Sequence, residues 1–149
     1  MSPGTVRIVI DSRLEEVRRV RKAVHRMGAD APFTAEEWQQ VKTCVGEAVN
    51  NAIIHAYGRE AGHEVEVEIR LETDRVVCTV ADRGKPVPAE AHEKPSLEIS
   101  PGEVEDLPEG GMGLFIIHEV MDRIEYESKG GRNVLTMIKF ARRGDDAGK

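Results

Sequence analysis

No apolar run in this sequence approaches the roughly 20 residues that a membrane-spanning helix needs, so no membrane span is expected. The opening residues "MSPGTVRIVIDS" lack a charged stretch followed by an apolar core, which leaves no signal peptide to expect. A basic excess is also missing. The formal net charge is −6, which argues against a direct, non-specific nucleic-acid binder. Cysteine is sparse: Cys44 and Cys78 stand alone, outside any metal or redox spacing. They read as two reduced core thiols of a cytoplasmic protein, with a disulfide as the alternative. Repeats are lacking too, and 149 residues fit one domain with a real core.

What is present is strongly patterned. "TVRIVI" (5–10) reads as a β-branched strand. Asp11 or Ser12 is placed to cap a helix to about Met27, with Leu14, Val17, Val20 and Val24 on one face. Its other face carries Arg13, Arg18, Arg19, Arg21 and Lys22, either a solvated face or a docking surface. After "GADAP", the box "TAEE" at Thr34 predicts the start of a longer helix, which runs to Tyr57 and stops at Gly58. "HEVEVEIRLE" alternates and "RVVCTVAD" is continuously apolar, so the two predict a hairpin. From Gly84 to Glu109 the chain holds five of its seven prolines and almost no periodicity, as a functional lid or a disordered insert would. "GMGLFIIHEVMDRI" is helical again, two strands "IEYES" and "NVLTMIKF" meet at "KGGR", and a polar tail over 142–149 is expected to fray.

Three constellations carry chemistry. On the helix that carries "GEAVNNAIIHAYG" (46–58), Trp38, Val41, Val45, Ala48, Ala52 and Ala56 form an apolar stripe, while Glu47 and Asn51, four apart, share the nearly opposite face. That face is either solvent-exposed or lines a polar cavity. The cavity reading accounts for Ile54 and Cys44 on the same side and for Asn and His, which are poor surface-helix residues. His55 itself reads as a satisfied structural histidine rather than a catalytic one. Next, the strand "VVCTVAD" ends in Asp82 and is followed by Gly84. A carboxylate there must be solvated, paired or bound to a donor, and an Asp-x-Gly turn is a common alternative. Finally, Gly110, Gly111 and Gly113 precede a helix, a hinge or a ready anion site.

In this order the motifs resemble the GHKL (Bergerat) ATP-binding fold of histidine kinases and gyrase-like ATPases: an N box from Glu47 to Asn51, a first glycine box from Asp82 to Gly84 and a second from Gly110 to Gly113. "EAVNNAIIHAYG" and "EGGMGLFII" look most similar to the anti-sigma-factor serine kinases of the RsbW type, and the likeness runs from the first strand through "NVLTMIKF". It implies a two-layer α/β (α+β) sandwich, a mixed, mainly antiparallel sheet with helices on one face, spanning residues 1–149 as a single domain. It implies that Asn51 binds Mg²⁺, that Asp82 accepts from the adenine amino group, and that Gly84 makes room for the base. Gly110, Gly111, Met112, Gly113 and Leu114 would form the phosphate-binding box, 84–109 the ATP lid, and Glu47 the catalytic base. Asn50 stands where this branch often has Thr, and the adenine-contacting Thr of the last strands has no clear counterpart, Asn133 and Thr136 being nearest. Arg19 is the positional candidate for partner contact, with Arg18 and Arg21 competing.

The implied function is that of a cytoplasmic, homodimeric, ATP-dependent anti-sigma factor. It binds a sigma factor and phosphorylates a serine on a STAS-domain antagonist. A switch kinase of a stress-signalling scaffold, or a nucleotide-gated binding module with little catalysis, are the alternatives.

Overall fold

The computed structural model describes residues 4–86 and 113–141. Most of the expected lid, with Gly110, Gly111, Met112 and the tail 142–149, lies outside the described residues. Five strands, β1 (Thr5–Asp11), β2 (Glu64–Leu71), β3 (Arg75–Asp82), β4 (Arg123–Lys129) and β5 (Arg132–Phe140), form one sheet in the order β1-β2-β3-β5-β4. Every pairing is antiparallel, so the mixed component of the expected sheet is not found among the described strands. The predicted hairpin is β2–β3. The turn between β4 and β5 needs Gly130 and Gly131, with φ of +62° and +79°, because two-residue hairpin turns with positive φ match the strand twist.

The helices are α1 (Val17–Met27), α2 (Ala35–Asn51) and α3 (Gly113–Val120), with α2 packed against both of the others. On β2, Val65, Val67, Ile69 and Leu71 are buried while Glu64, Glu66 and Glu68 point the other way. That period of two selects the face on which the helices sit. The α2 stripe lies against it: Trp38, Val41, Val45, Ala48, Ala52 and Ala56 are all buried. Trp38 fills the seam between α1 and α2, donating from Nε1 to the Val24 carbonyl at 2.7 Å.

Three local expectations change. Neither Asp11 nor Ser12 caps α1, which is entered through a 3₁₀ turn at Leu14–Glu16. Ser12 Oγ instead donates to the Glu60 carbonyl and accepts from the His63 N–H, while Asp11 Oδ1 accepts from the Gly62 N–H. These short polar side chains tie the end of β1 to the 60–63 turn. The capping box at Thr34 and Glu37 is present as predicted, but the last turn of the long helix, Ala52–Ala56, is π-helical. The third helix ends at Val120, because from Arg123 onward the chain pairs with β5. Edge pairing has overridden the helical pattern of "MDRI".

Candidate functional site

The end of α2 and the end of β3 are stitched together. The widened π turn presents the Ala56 carbonyl to the Lys85 N–H at 2.8 Å. Tyr57 Oη accepts from the Arg83 N–H and donates to the Glu64 carbonyl. Single-turn π segments inside helices occur often at functional sites, and this one holds the Asp-x-Gly loop. Gly84 is required here by contact: a Cβ would run into the Ala56 carbonyl oxygen and lie 2.6 Å from its carbon. The described residues thus give Gly84 a reason other than room for a base. It seats the loop on the helix end.

Asp82 is buried, at 9% exposure. Its Oδ1 accepts from the Gly84 N–H at 2.9 Å and from Asn133 Nδ2 at 2.7 Å. Burial pushes its carboxyl above the usual carboxylate range, and those two donors pull against it. Asn133 pairs directly with Asp82 across β3–β5. It also donates to the Gly84 carbonyl and accepts from Ser128 Oγ. Sequence reasoning left Asn133 and Thr136 as rivals. Pleating separates them: Asn133, Leu135 and Met137 face the core side, and Thr136 pairs with Thr79 on the other face. Only a register between β3 and β5 could have singled out Asn133, and local pattern does not encode that register.

Glu47 and Asn51 stand together on α2, and α3 begins over them. A Cβ at Gly113 would lie 3.3 Å from the Glu47 Cβ and 3.5–3.6 Å from the amide atoms of Asn51. Glycine therefore lets the start of α3 pack closely over that amide. Asn51 Oδ1 is buried with no hydrogen-bond partner among the described residues. An orphaned buried acceptor costs about 1–3 kcal/mol, so this one is poised for a donor or a cation. Asn50 Nδ2 donates to Glu47 Oε2 at 3.3 Å, which orients the carboxylate and gives Asn50 a role in the site. Leu114 is half-buried in the first turn of α3, whose N-terminal N–H groups make that end favourable for phosphate.

Oxygen-rich Mg²⁺ chemistry suits such a site, since this ion keeps waters and phosphate oxygens as ligands. No group of three His, Cys, Asp or Glu able to hold a metal occurs among the described residues. A cation at Asn51 would complete its shell from phosphates and water. Cys44 beneath Glu47 is inert: burial pushes its thiol up to about 12, and Cys78 is raised by burial as well. Both are free and buried, as expected. The His55 side chain is exposed in the π turn and makes no hydrogen bond among the described residues. Arg19 is exposed and paired with Glu16 at 2.7 Å, whereas its rivals Arg18 and Arg21 line a groove between α1 and α2.

An antiparallel sheet backed by helices, with an Asn-bearing helix, an Asp-ended strand and a glycine-started helix converging, defines a nucleotide-binding ATPase fold. Comparison with known proteins agrees. The histidine kinase-like ATPase domain matches residues 10–139, and the chain belongs to that family. It is 31% identical to a serine-protein kinase RsbW of Halalkalibacterium halodurans over 96% of this chain and 87% of the relative. It is also 31% identical to an anti-sigma F factor of Clostridium beijerinckii, over 93% of this chain and 95% of that one. In fold it is similar to a crystal structure of RsbU and RsbW domains from Mycobacterium tuberculosis, with a TM-score of 0.63 and 16% identity, covering 93% of this chain and 33% of that one.

Proposed function

We propose that this chain is a serine-protein kinase of the anti-sigma-factor type: it holds a sigma factor inactive and phosphorylates a serine on a STAS-domain antagonist. The observation that carries this reading is the orphaned, buried Asn51 Oδ1 beside Glu47, with the glycine start of α3 packed over it. ATP would supply the γ-phosphoryl group, and Mg²⁺ the positive charge that offsets its oxygens.

The chain's own residues then divide the work. Asn51 Oδ1 holds the cation. Asp82, kept in place by Asn133 and the Gly84 N–H, accepts from the adenine amino group, a charge-assisted bond worth roughly 1.5–3 kcal/mol. The start of α3, with Gly110, Gly111, Met112, Gly113 and Leu114, lays N–H groups against phosphates, and residues 84–109 close over them as a lid. Glu47, oriented by Asn50, aims the serine hydroxyl and takes its proton. A loose phosphoryl-transfer transition state asks mainly for positioning and charge stabilisation, so an ordinary carboxylate suffices. We further propose that residues 1–149 act as one ATPase domain, as a homodimer in the cytoplasm, and that Arg19 contributes to the partner surface. No described helix is long and apolar enough to cross a membrane.

The test is incubation with γ-labelled ATP, Mg²⁺ and the STAS-domain protein encoded nearest the gene. Phosphoserine on that protein is the expected result. Nucleotide binding without transfer to any candidate would replace the kinase by a nucleotide-gated binding module. Transfer without sigma-factor binding would leave a switch kinase.

A further inference from the structure

One core-facing rung of the sheet changes character half-way across. It runs Ile10, Val65, Asp82, Asn133, Ser128 over β1, β2, β3, β5 and β4. The next such rung, Ile8, Val67, Val80, Leu135 and Tyr126, is aliphatic or aromatic throughout. Ile10 and Val65 belong to the core, and Asp82 and Asn133 are buried beside them. A buried amide next to a buried carboxylate persists only when its hydrogen bonds are made. Here they all run one way.

Ser128 Oγ donates to Asn133 Oδ1 at 2.6 Å. Asn133 Nδ2 donates to Asp82 Oδ1 at 2.7 Å and to the Gly84 carbonyl at 3.0 Å. A backbone carbonyl can only accept, so Gly84 decides which end of the amide faces Asp82. Both amide protons are then engaged, Oδ1 must accept, and the serine hydroxyl must donate. A turned amide would set its oxygen against the Gly84 carbonyl. The chain therefore ends on the carboxylate: Asp82 Oδ1 takes Asn133 Nδ2 and the Gly84 N–H, and among the described residues no donor reaches Oδ2.

We propose that the Ser128–Asn133 pair makes this site select a 6-amino purine over a 6-oxo purine, by holding Asp82 as an acceptor toward the ring. The inference deepens the nucleotide reading above and rests on it, but needs no phosphoryl transfer. An ionised Oδ2 accepts from an exocyclic amino group and repels an exocyclic oxygen in the same place. A carboxylic acid loses that distinction, because its O–H donates to the oxo group. Burial favours the acid, while the bonds from Asn133 and the Gly84 N–H favour the anion. Asn133 and Ser128 are positioning residues: with its protons engaged the amide has none for the purine, and a one-way chain transmits polarisation to the carboxylate. Charged side chains take no part. Tyr57 of the π turn, His63, Glu64 and Glu66 by β2, Arg83 of the loop and Arg132 of β5 line the recess beside Asp82. Among the described residues none of them bonds to its carboxylate.

The experiment titrates the full chain, with Mg²⁺, against ATP and against inosine triphosphate by calorimetry, from acid to neutral pH. Inosine triphosphate differs only at the purine edge, with an oxygen at C6 and a proton on N1. The wild type should prefer ATP by about tenfold or more at neutral pH, and the preference should shrink as Asp82 takes a proton in acid. Ser128 lies exposed on the edge strand, so Ser128→Ala leaves the core intact. It should cut the preference about threefold and move its acid loss to higher pH, whereas Ser128→Thr, which keeps the hydroxyl, should behave as the wild type does. Asn133→Asp, which removes both donors and lets two carboxyls share a proton, should abolish the preference. A parallel loss of affinity for both nucleotides in Ser128→Ala, or an unchanged preference and pH profile, would make the pair merely structural and overturn the proposal. So would equal binding of the two nucleotides by the wild type at neutral pH, a result that needs no variant to fold. Binding of neither would remove the nucleotide reading itself, and the proposal with it.

Discussion

Glu66 and Asp82 sit on adjoining strands, where Glu66 pairs with Ala81, the neighbour of Asp82, yet they live on opposite faces of the sheet. On the open face Glu66 is clamped by Arg7 at 2.7 Å and Arg132 at 2.8 Å. The hydrogen bond from Arg7 is the main reason its carboxyl is held below the usual range. On the helical face Asp82 has no cation; burial drives its carboxyl upward and only neutral donors resist. Where the surface serves only folding, charges are satisfied internally. Where polar groups are left costly, as at Asp82 and Asn51 Oδ1, an outside ligand is the natural complement.

The sharpest break of this contrast is Glu47→Ala on the helical face. Phosphoryl transfer should fall by about 10²–10⁴-fold, with nucleotide affinity little changed in equilibrium titration. Equal loss of both would remove Glu47 from the role of base. Asp82→Asn comes next. The introduced amide presents a donor to the adenine amino group, so ATP affinity should drop by roughly 10–100-fold. The unliganded protein should nonetheless melt higher at pH 7, because an ionised, buried carboxylate has been removed. Gly84→Ala should cost about 1–3 kcal/mol through overpacking against Ala56, read as a lower denaturation midpoint together with weaker ATP binding. Glu66→Gln, on the open face, should cost only about 0.2–1 kcal/mol and leave ATP binding untouched.

The two carboxylates also predict opposite pH signs. Asp82 titrates higher in the folded state, so its contribution to stability is full below its unfolded value and is lost as pH rises through the folded one. Glu66 titrates lower when folded, so its contribution is present above its unfolded value and is lost as pH falls through the folded one. Acid melting series on Asp82→Asn and Glu66→Gln, each set against the wild type, should therefore diverge in opposite directions. Parallel series would erase the contrast.

Much of this was legible from local pattern. The capping box at Thr34, the alternation of 64–71 and the alanine–valine stripe of α2 set where elements form and which sides they bury, because propensity, capping and periodicity act within a few residues. The pairing of Glu47 with Asn51 on one face follows from helix geometry alone. The partner of Asp82, the contact of Gly84 with Ala56 and the π turn depend on strand register and helix packing. Those are long-range contacts, settled by what the whole core can bury. The tertiary structure likewise decided that the basic face of α1 lines a groove, since a helix face becomes a groove only when a second helix, bringing Lys42, closes its other side.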